Sequence, residues 1–231
     1  MKKHLLFIMA IFLSLGIKAQ VGIHFKQINT KAVDWNRIIS LDLSSEKKVF
    51  SSGFEYGIDW WLRLKKYRIE WTPEISYAKA ESDYVTTGGN HRLYKLEMIN
   101  FVANNNIYIF DLKEPDCPRY GLQGDIFKKG FFIQLSPGVT HFIQNFTIEG
   151  SQLEAKTTAF KLGFGVGMDV VLWNLISFTP YAKMNFYPLV KWDQLRETHA
   201  EASPHITSGS SSINQIQLGI RIGLRPKILR D

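Results

Sequence analysis

Apolar and polar residues alternate strictly over much of this chain. In residues 214–225, Ile216, Leu218, Ile220, Ile222 and Leu224 alternate with Gln217, Gly219, Arg221, Gly223 and Arg225. A strand, with its period of two, is the regular element that puts these sets on opposite faces. Residues 160–172 repeat the device, with Phe160, Leu162, Phe164, Val166, Met168, Val170 and Leu172 set against Lys161, Gly163, Gly165, Gly167 and Asp169. Three glycines on one face remove side-chain volume from that face alone, as the interior of a narrow barrel requires. A turn at Trp173-Asn174-Leu175 then leads into an alternating strand over residues 176–187, which predicts a long hairpin. A second hairpin is predicted around Lys65-Lys66, from residues 54–64 to residues 67–77.

The remaining strands are predicted over residues 21–27, 93–110 and 131–142. Alternation slips near Ile99-Asn100, so a bulge is expected there, and Pro73, Pro137 and Pro180 each predict a local irregularity. The total is about eight strands. A soluble sandwich or lipocalin-like barrel would place the apolar face inside. Glycine, serine and threonine are instead sprinkled over the charged faces, and aromatics (Phe54, Trp60, Tyr67, Tyr77, Phe131, Phe160, Phe186) lie near the ends of the apolar ones. The expected fold is therefore all-β, a closed antiparallel up-and-down transmembrane barrel with apolar residues facing lipid.

Composition adds limits. A mean hydropathy of -0.11 fits a soluble protein and a membrane barrel alike. The net charge is +7, and three of the positive residues, Lys2, Lys3 and Lys18, belong to a leader, which argues against nucleic acid as a partner. That leader has a basic start, an apolar run and Ala19 before Gln20, so residues 1–19 are expected to be a cleaved signal peptide and 20–231 a single barrel domain. The run is too short to cross a bilayer as a helix. With one cysteine, Cys117, there is neither an intrachain disulfide nor a CxxC site.

The leader end Lys18-Ala19-Gln20, the stretch Asn104-Asn105-Asn106-Ile107-Tyr108-Ile109-Phe110-Asp111-Leu112 and Lys128-Lys129-Gly130-Phe131-Phe132 carry a resemblance. The mature chain resembles the small outer-membrane β-barrel proteins of Bacteroidetes-type bacteria, the OmpX-like and PorT-like class. One departure is the end of the chain, a tail over residues 226–231 in place of a terminal aromatic. The resemblance implies an outer-membrane location. Because related small barrels serve type 9 protein secretion and gliding, it also implies a periplasmic or secretion-channel protein partner.

With the N-terminus in the periplasm, residues 29–49, 81–91, 144–156 and 191–212 are expected to be external loops, and the turns at Lys65-Lys66 and 173–175 internal. The connection over residues 111–129 is internal and yet long. Asp116, Cys117, Pro118, Arg119, Tyr120, Phe127, Lys128 and Lys129 give it an apolar and basic surface that barrel stability does not need, and they are the candidate docking residues. A plug under the barrel is the alternative.

Candidate chemistry is sparse. Glu55, Asp59, Arg63, Arg68, Glu70, Glu74, Lys161, Asp169, Lys183, Arg221 and Arg225 fall on the inward faces, where they are expected to pair across adjacent strands and fill a lumen too narrow to conduct. His199, Ser203, His205, Thr207 and Ser208, with Glu197 and Glu201, are the candidates for an outer-leaflet lipid hydrolase, but the sequence around them reads as a solvated loop. His199 and His205 lack a completed metal spacing, and Asp111, Glu114, Asp116 and Asp125 lack a calcium-loop register. The chain is read as non-enzymatic, with no cofactor, metal or small-molecule substrate. Its expected role is structural or in envelope assembly; the alternative is a surface-exposed binding or adhesion barrel that uses its external loops.

Overall fold

Alternation of this kind leaves each strand with one face for lipid and one for an interior, and the chain satisfies both by closing into a cylinder. The computed structural model describes residues 20–43, 52–63, 68–85, 91–110, 130–148, 151–172, 176–195 and 209–224. The elements are β1 (Gln20–Ala32), α1 (Val33–Leu43), β2 (Gly53–Arg63), β3 (Ile69–Val85), β4 (His91–Ile107), β5 (Phe131–Ile148), β6 (Ser151–Met168), β7 (Val170–Leu172), β8 (Ile176–Lys191) and β9 (Ser210–Leu224). Each strand pairs antiparallel with its neighbours, and β1 also pairs with β9, from Val21↔Leu224 to Ala32↔Ile213, which closes the sheet. β6 and β7 pair with β8 in one continuous register and form a single wall strand interrupted at Asp169. The result is an eight-stranded, closed, antiparallel barrel. No helix among the described residues is long and apolar enough to cross a membrane.

The barrel has two zones of opposite polarity. In the lower zone, nearer the N-terminus of β1, the outer face carries Val21, Ile23, Phe25, Tyr56, Ile75, Phe101, Phe164, Met184 and Leu218, all exposed. The buried inner face there carries His24, Lys26, Glu55, Asp59, Glu74, Asn104 and Lys183. Water would not stabilise such a surface around such an interior; hydrocarbon outside does. In the upper zone the faces exchange roles. Ile28, Ala78, Ala80, Tyr94, Leu96, Met98, Phe142, Phe146, Tyr187 and Ile213 fill the interior as an apolar core. The wall outside bears Lys79–Glu81, Lys95–Glu97 and Lys156–Glu154 ion pairs.

Strand length explains the division. A strand crosses a bilayer in about 9–11 residues at a tilt of ~45°, whereas β3 and β4 have 17 residues and β5 and β6 have 18. On β6 the lipid-facing series ends at Phe160, and at about 3.3 Å per residue and a tilt near 40° the remainder stands about 20 Å above the apolar band. α1 caps this upper core. Trp35, Ile38 and Ile39 lie at helical spacing and are buried. Trp35 Nε1 donates to Gly209 O at 2.9 Å, and its ring meets Trp192 edge to face at 5.2 Å. The Asp34 backbone N–H, one of the helix's unpaired donors, binds Ser211 Oγ at 3.1 Å.

Several expectations are corrected here. β4 has no bulge near Ile99-Asn100; its pairing with β3 and with β5 holds one register throughout. The apparent slip is the polarity exchange. Residues 29–49 include the end of β1 and a helix, and residues 144–156 are mostly strand, with Ile148 pairing with Ser151 across the connection. Strand also extends to Val85, from His91, to Lys191 and from Ser210, shortening the loops expected over 81–91 and 191–212. Pro73, Pro137 and Pro180 lie beside gaps in the β2–β3, β4–β5 and β6/β7–β8 ladders, with register unchanged. The register shift falls between Tyr187 and Val190, where Pro188 sits. Residues 1–19, Lys65-Lys66 and 173–175 lie outside the described residues.

The gap beside Pro137 carries its own repair. Proline has no N–H to offer β4, and Asn105, on the outer face, donates from Nδ2 to Ala103 O (3.0 Å) and Leu135 O (3.3 Å). Asn105→Leu adds apolar surface toward lipid yet is expected to destabilise the barrel by about 1 kcal/mol, because carbonyls in hydrocarbon lose their donor. The midpoint of urea unfolding in lipid vesicles checks this.

Candidate functional site

The lumen of the lower zone is the most chemically dense region among the described residues. It is organised around three clusters. In the first, Arg221 grips Asp59 with both arms, Nε to Oδ2 and Nη2 to Oδ1 at 2.8 Å each. His24 Nε2 also contacts Asp59, and its Nδ1 lies 3.0 Å from the Tyr181 hydroxyl. Asp59 is on β2 and Arg221 on β9, with β1 between them. A Cβ at Gly22 would collide with both side chains, so that glycine is what lets the pair meet above the intervening strand.

In the second cluster Lys26 Nζ binds Glu55 Oε1 at 2.6 Å and also Glu74. Glu55 is completed by Ser76 Oγ (2.6 Å) and Gln217 Nε2 (2.7 Å), and Glu74 by Asn104 Nδ2 (2.9 Å). Every buried carboxylate here is held by donors from more than one strand, the condition under which a buried charge is tolerated. In the third cluster, at the lower rim, the Tyr108 hydroxyl lies 2.7 Å from Glu70 Oε2 and 2.5 Å from Asp169 Oδ2. The Arg68 guanidinium sits 4.2 Å over the Tyr108 ring, and Thr179 donates to Asp169.

Of the inward charges read from the sequence, Glu55, Asp59, Arg68, Glu70, Glu74, Lys161, Asp169, Lys183 and Arg221 are buried in this lumen. The Arg63 side chain and Arg225 lie outside the described residues. Pairing differs from the expected adjacent-strand pattern in two ways. Asp59–Arg221 and Lys26–Glu74 each span a strand. Lys161 and Lys183 hydrogen-bond to amide oxygens, Asn100 Oδ1 at 3.1 Å and Asn104 Oδ1 at 3.3 Å. The sequence reading missed His24 and Lys26, although both alternate with Val21, Ile23 and Phe25 on a strand it had placed.

Asp116, Cys117, Pro118, Arg119, Tyr120, Phe127, Lys128 and Lys129, and the loop residues Glu197, His199, Glu201, Ser203, His205, Thr207 and Ser208, lie outside the described residues. No group of three or more metal-capable side chains occurs among the described ones. Chemically, the lumen holds its carboxylates in fixed hydrogen bonds and ion pairs, with Lys161 and Lys183 on amide oxygens. Above it lies the apolar core, with Tyr94 stacked on Phe146 at 4.5 Å and Phe142 against Tyr187 at 5.4 Å.

No protein-family model and no curated protein matches the sequence. Among solved structures, Neisserial surface protein A aligns over 90% of this chain and 97% of its own, with 10% identity and a TM-score of 0.49. Ail, the attachment invasion locus protein of Yersinia pestis, aligns over 89% and 97%, with 11% identity and a TM-score of 0.46. A major outer membrane protein from Thermus thermophilus aligns over 89% and 99%, with 10% identity and a TM-score of 0.45. The assignment of the present chain rests on its own strand pairing and face polarity. It is an outer-membrane β-barrel.

Proposed function

We propose that this barrel is a non-catalytic, non-conducting component of the cell envelope, structural or in assembly, that docks a periplasmic or secretion-channel protein. The observation that carries the first half is the filled interior, with fixed ion pairs below and an apolar core capped by α1 above. An eight-stranded barrel whose interior is occupied by side chains leaves no aqueous path. Planar-bilayer recording of the purified protein is expected to show no steady conductance, and a stable open channel would contradict the reading.

The docking half rests on residues 111–129, which join β4 to β5 at the lower rim, and on their apolar and basic composition. The resemblance noted above makes the type 9 secretion apparatus the candidate partner. Trimming residues 113–125 to a short turn is expected to leave a folded, inserted barrel that no longer co-purifies with a periplasmic or channel partner. Recovery of every partner, or loss of folding, contradicts docking through this segment. A second reading, binding at the cell surface, is favoured by a separate observation, the upper zone of strand that lifts charged walls clear of the lipid.

A further inference from the structure

The two zones differ in closure as well as polarity. β6 pairs with β8 only from Leu162↔Phe186 to Gly167↔Tyr181, and β7 carries that pairing on to Leu172↔Ile176. Above Leu162, β6 continues for eleven residues, from Lys161 up to Ser151, paired with β5 alone. β8 above Phe186 pairs with β9 alone, after the register shift beside Pro188. Among the described residues no ladder joins β6 to β8 above Leu162, and β6 presents a strand edge there, above the apolar band.

One contact fixes which backbone groups point out from that edge. Gln194 Nε2 donates to Glu154 O at 3.1 Å from the β8 side. In an antiparallel strand both main-chain groups of a residue point the same way, and alternate residues point oppositely. Gln152, Lys156, Thr158 and Phe160 therefore aim N–H and C=O out from the edge with Glu154, and the residues between them bond to β5. Among the described residues no main-chain partner meets these groups on that side. The inner face of the edge is lined by small side chains, Ala155, Thr157 and Ala159, and Ala155 packs on the upper apolar core. The outer face shows the exposed Glu154–Lys156 pair.

We propose that this upper edge of β6 captures an extended segment of a partner polypeptide as an additional strand. Main-chain hydrogen bonds along residues 152–160 supply the affinity. Alternate apolar side chains of the incoming strand cover the small inner residues, and a basic residue opposite Glu154 with an acidic one opposite Lys156 sets register by charge. Antiparallel pairing with a second copy in the same membrane is excluded by symmetry. Antiparallel edge pairing relates two strands by an axis perpendicular to the sheet, which would turn the second barrel upside down. The surface lies at the end opposite Phe110 and Gly130, so the proposal stands or falls independently of periplasmic docking.

The test uses the full-length barrel in lipid nanodiscs. Hydrogen exchange is expected to be fast at the Glu154, Lys156 and Thr158 amides and slow at Ala155, Thr157 and Ala159; uniform protection would mean the chain closes its own edge and would overturn the proposal. The binding probe is a synthetic peptide of about ten residues alternating valine with threonine, with lysine opposite Glu154 and glutamate opposite Lys156. Its control is the same peptide N-methylated at alternate residues. The native barrel is expected to bind the probe and to slow exchange at the three edge amides, and not to bind the control. Lys156→Pro removes an edge N–H and no bond to β5, and is expected to weaken binding at least about tenfold. Lys156→Gln keeps the N–H and is expected to retain most of the binding. Equal binding of probe and control, or undiminished binding by a Lys156→Pro barrel with native heat-modifiable mobility, overturns the proposal. If Lys156→Pro fails to fold, the probe-against-control comparison on the native barrel decides.

Discussion

Replacing Asp59 with alanine is expected to destabilise the folded barrel by about 3–5 kcal/mol, the cost of leaving a buried charge without its partner. Asp59 is fully buried, receives both arms of Arg221 at 2.8 Å and contacts His24. Its removal strands the Arg221 guanidinium in a lumen whose other carboxylates are committed to Lys26, Gln217, Asn104 and Tyr108. Urea unfolding in lipid vesicles, followed by tryptophan fluorescence, measures the loss. Arg221→Met in the same chain is expected to recover part of it, because removing both charges costs less than removing one. Equal stability of Asp59→Ala and the native chain would mean that the lumen is open to water and the ion pair is of no consequence.

Arginine at adjacent positions of β9 separates the two faces of the lower zone. Leu218 is 58% exposed and Gln217 is fully buried. Leu218→Arg places a charge against hydrocarbon and is expected to cost about 2–4 kcal/mol near mid-membrane. Gln217→Arg acts differently. The new guanidinium lands beside Glu55, where it replaces the Gln217 Nε2 donor at 2.7 Å, and crowding of the lumen sets the cost, about 1–3 kcal/mol. The two routes are distinguished by bilayer thickness. Thinner lipid relieves Leu218→Arg, whose side chain then reaches an interface, and leaves Gln217→Arg unchanged.

Period-two alternation made the hairpins β2–β3 and β6–β8 and the last strand β9 legible, because in the lower zone polarity and side-chain direction agree residue by residue. The same signal failed where a strand leaves the lipid. On β4, Asn100, Asn104 and Asn106 face inward below, and Tyr94, Leu96 and Met98 face inward above. Geometry keeps its period while hydrophobicity reverses sign, and a pattern read from hydrophobicity alone registers a bulge. The upper ends of β3, β5 and β6 were read as loops for the same reason, since charged residues such as Lys79, Glu81, Glu154 and Lys156 sit on strand outer faces in water.

Two further features had a signal in the sequence. Trp35, Ile38 and Ile39 have helical spacing, with Asp34 favourably placed in the first turn of α1. His24 and Lys26 share a face with Gly22 and Ile28 on β1. The partners of the lumen charges carried no signal. Asp59 meets Arg221 across 162 positions of sequence and over an intervening strand, a contact that depends on the curvature of a closed wall and the absence of a Cβ at Gly22.

The central claim is that one continuous wall crosses lipid below and stands in water above, with the interior reversed accordingly. Spin labels introduced singly along the outer face of β4 and β6 test it most directly, by comparing relaxation from oxygen, which concentrates in lipid, with relaxation from a water-soluble nickel complex. Labels at Phe101, Phe164 and Leu162 are expected to be reached by oxygen, and labels at Glu97, Lys95 and Lys156 by nickel, with the change falling between Ile99 and Glu97 on β4. Oxygen-dominated relaxation continuing through Lys95 and Lys156, or nickel-dominated relaxation at Phe101 and Phe164, would contradict the two-zone barrel.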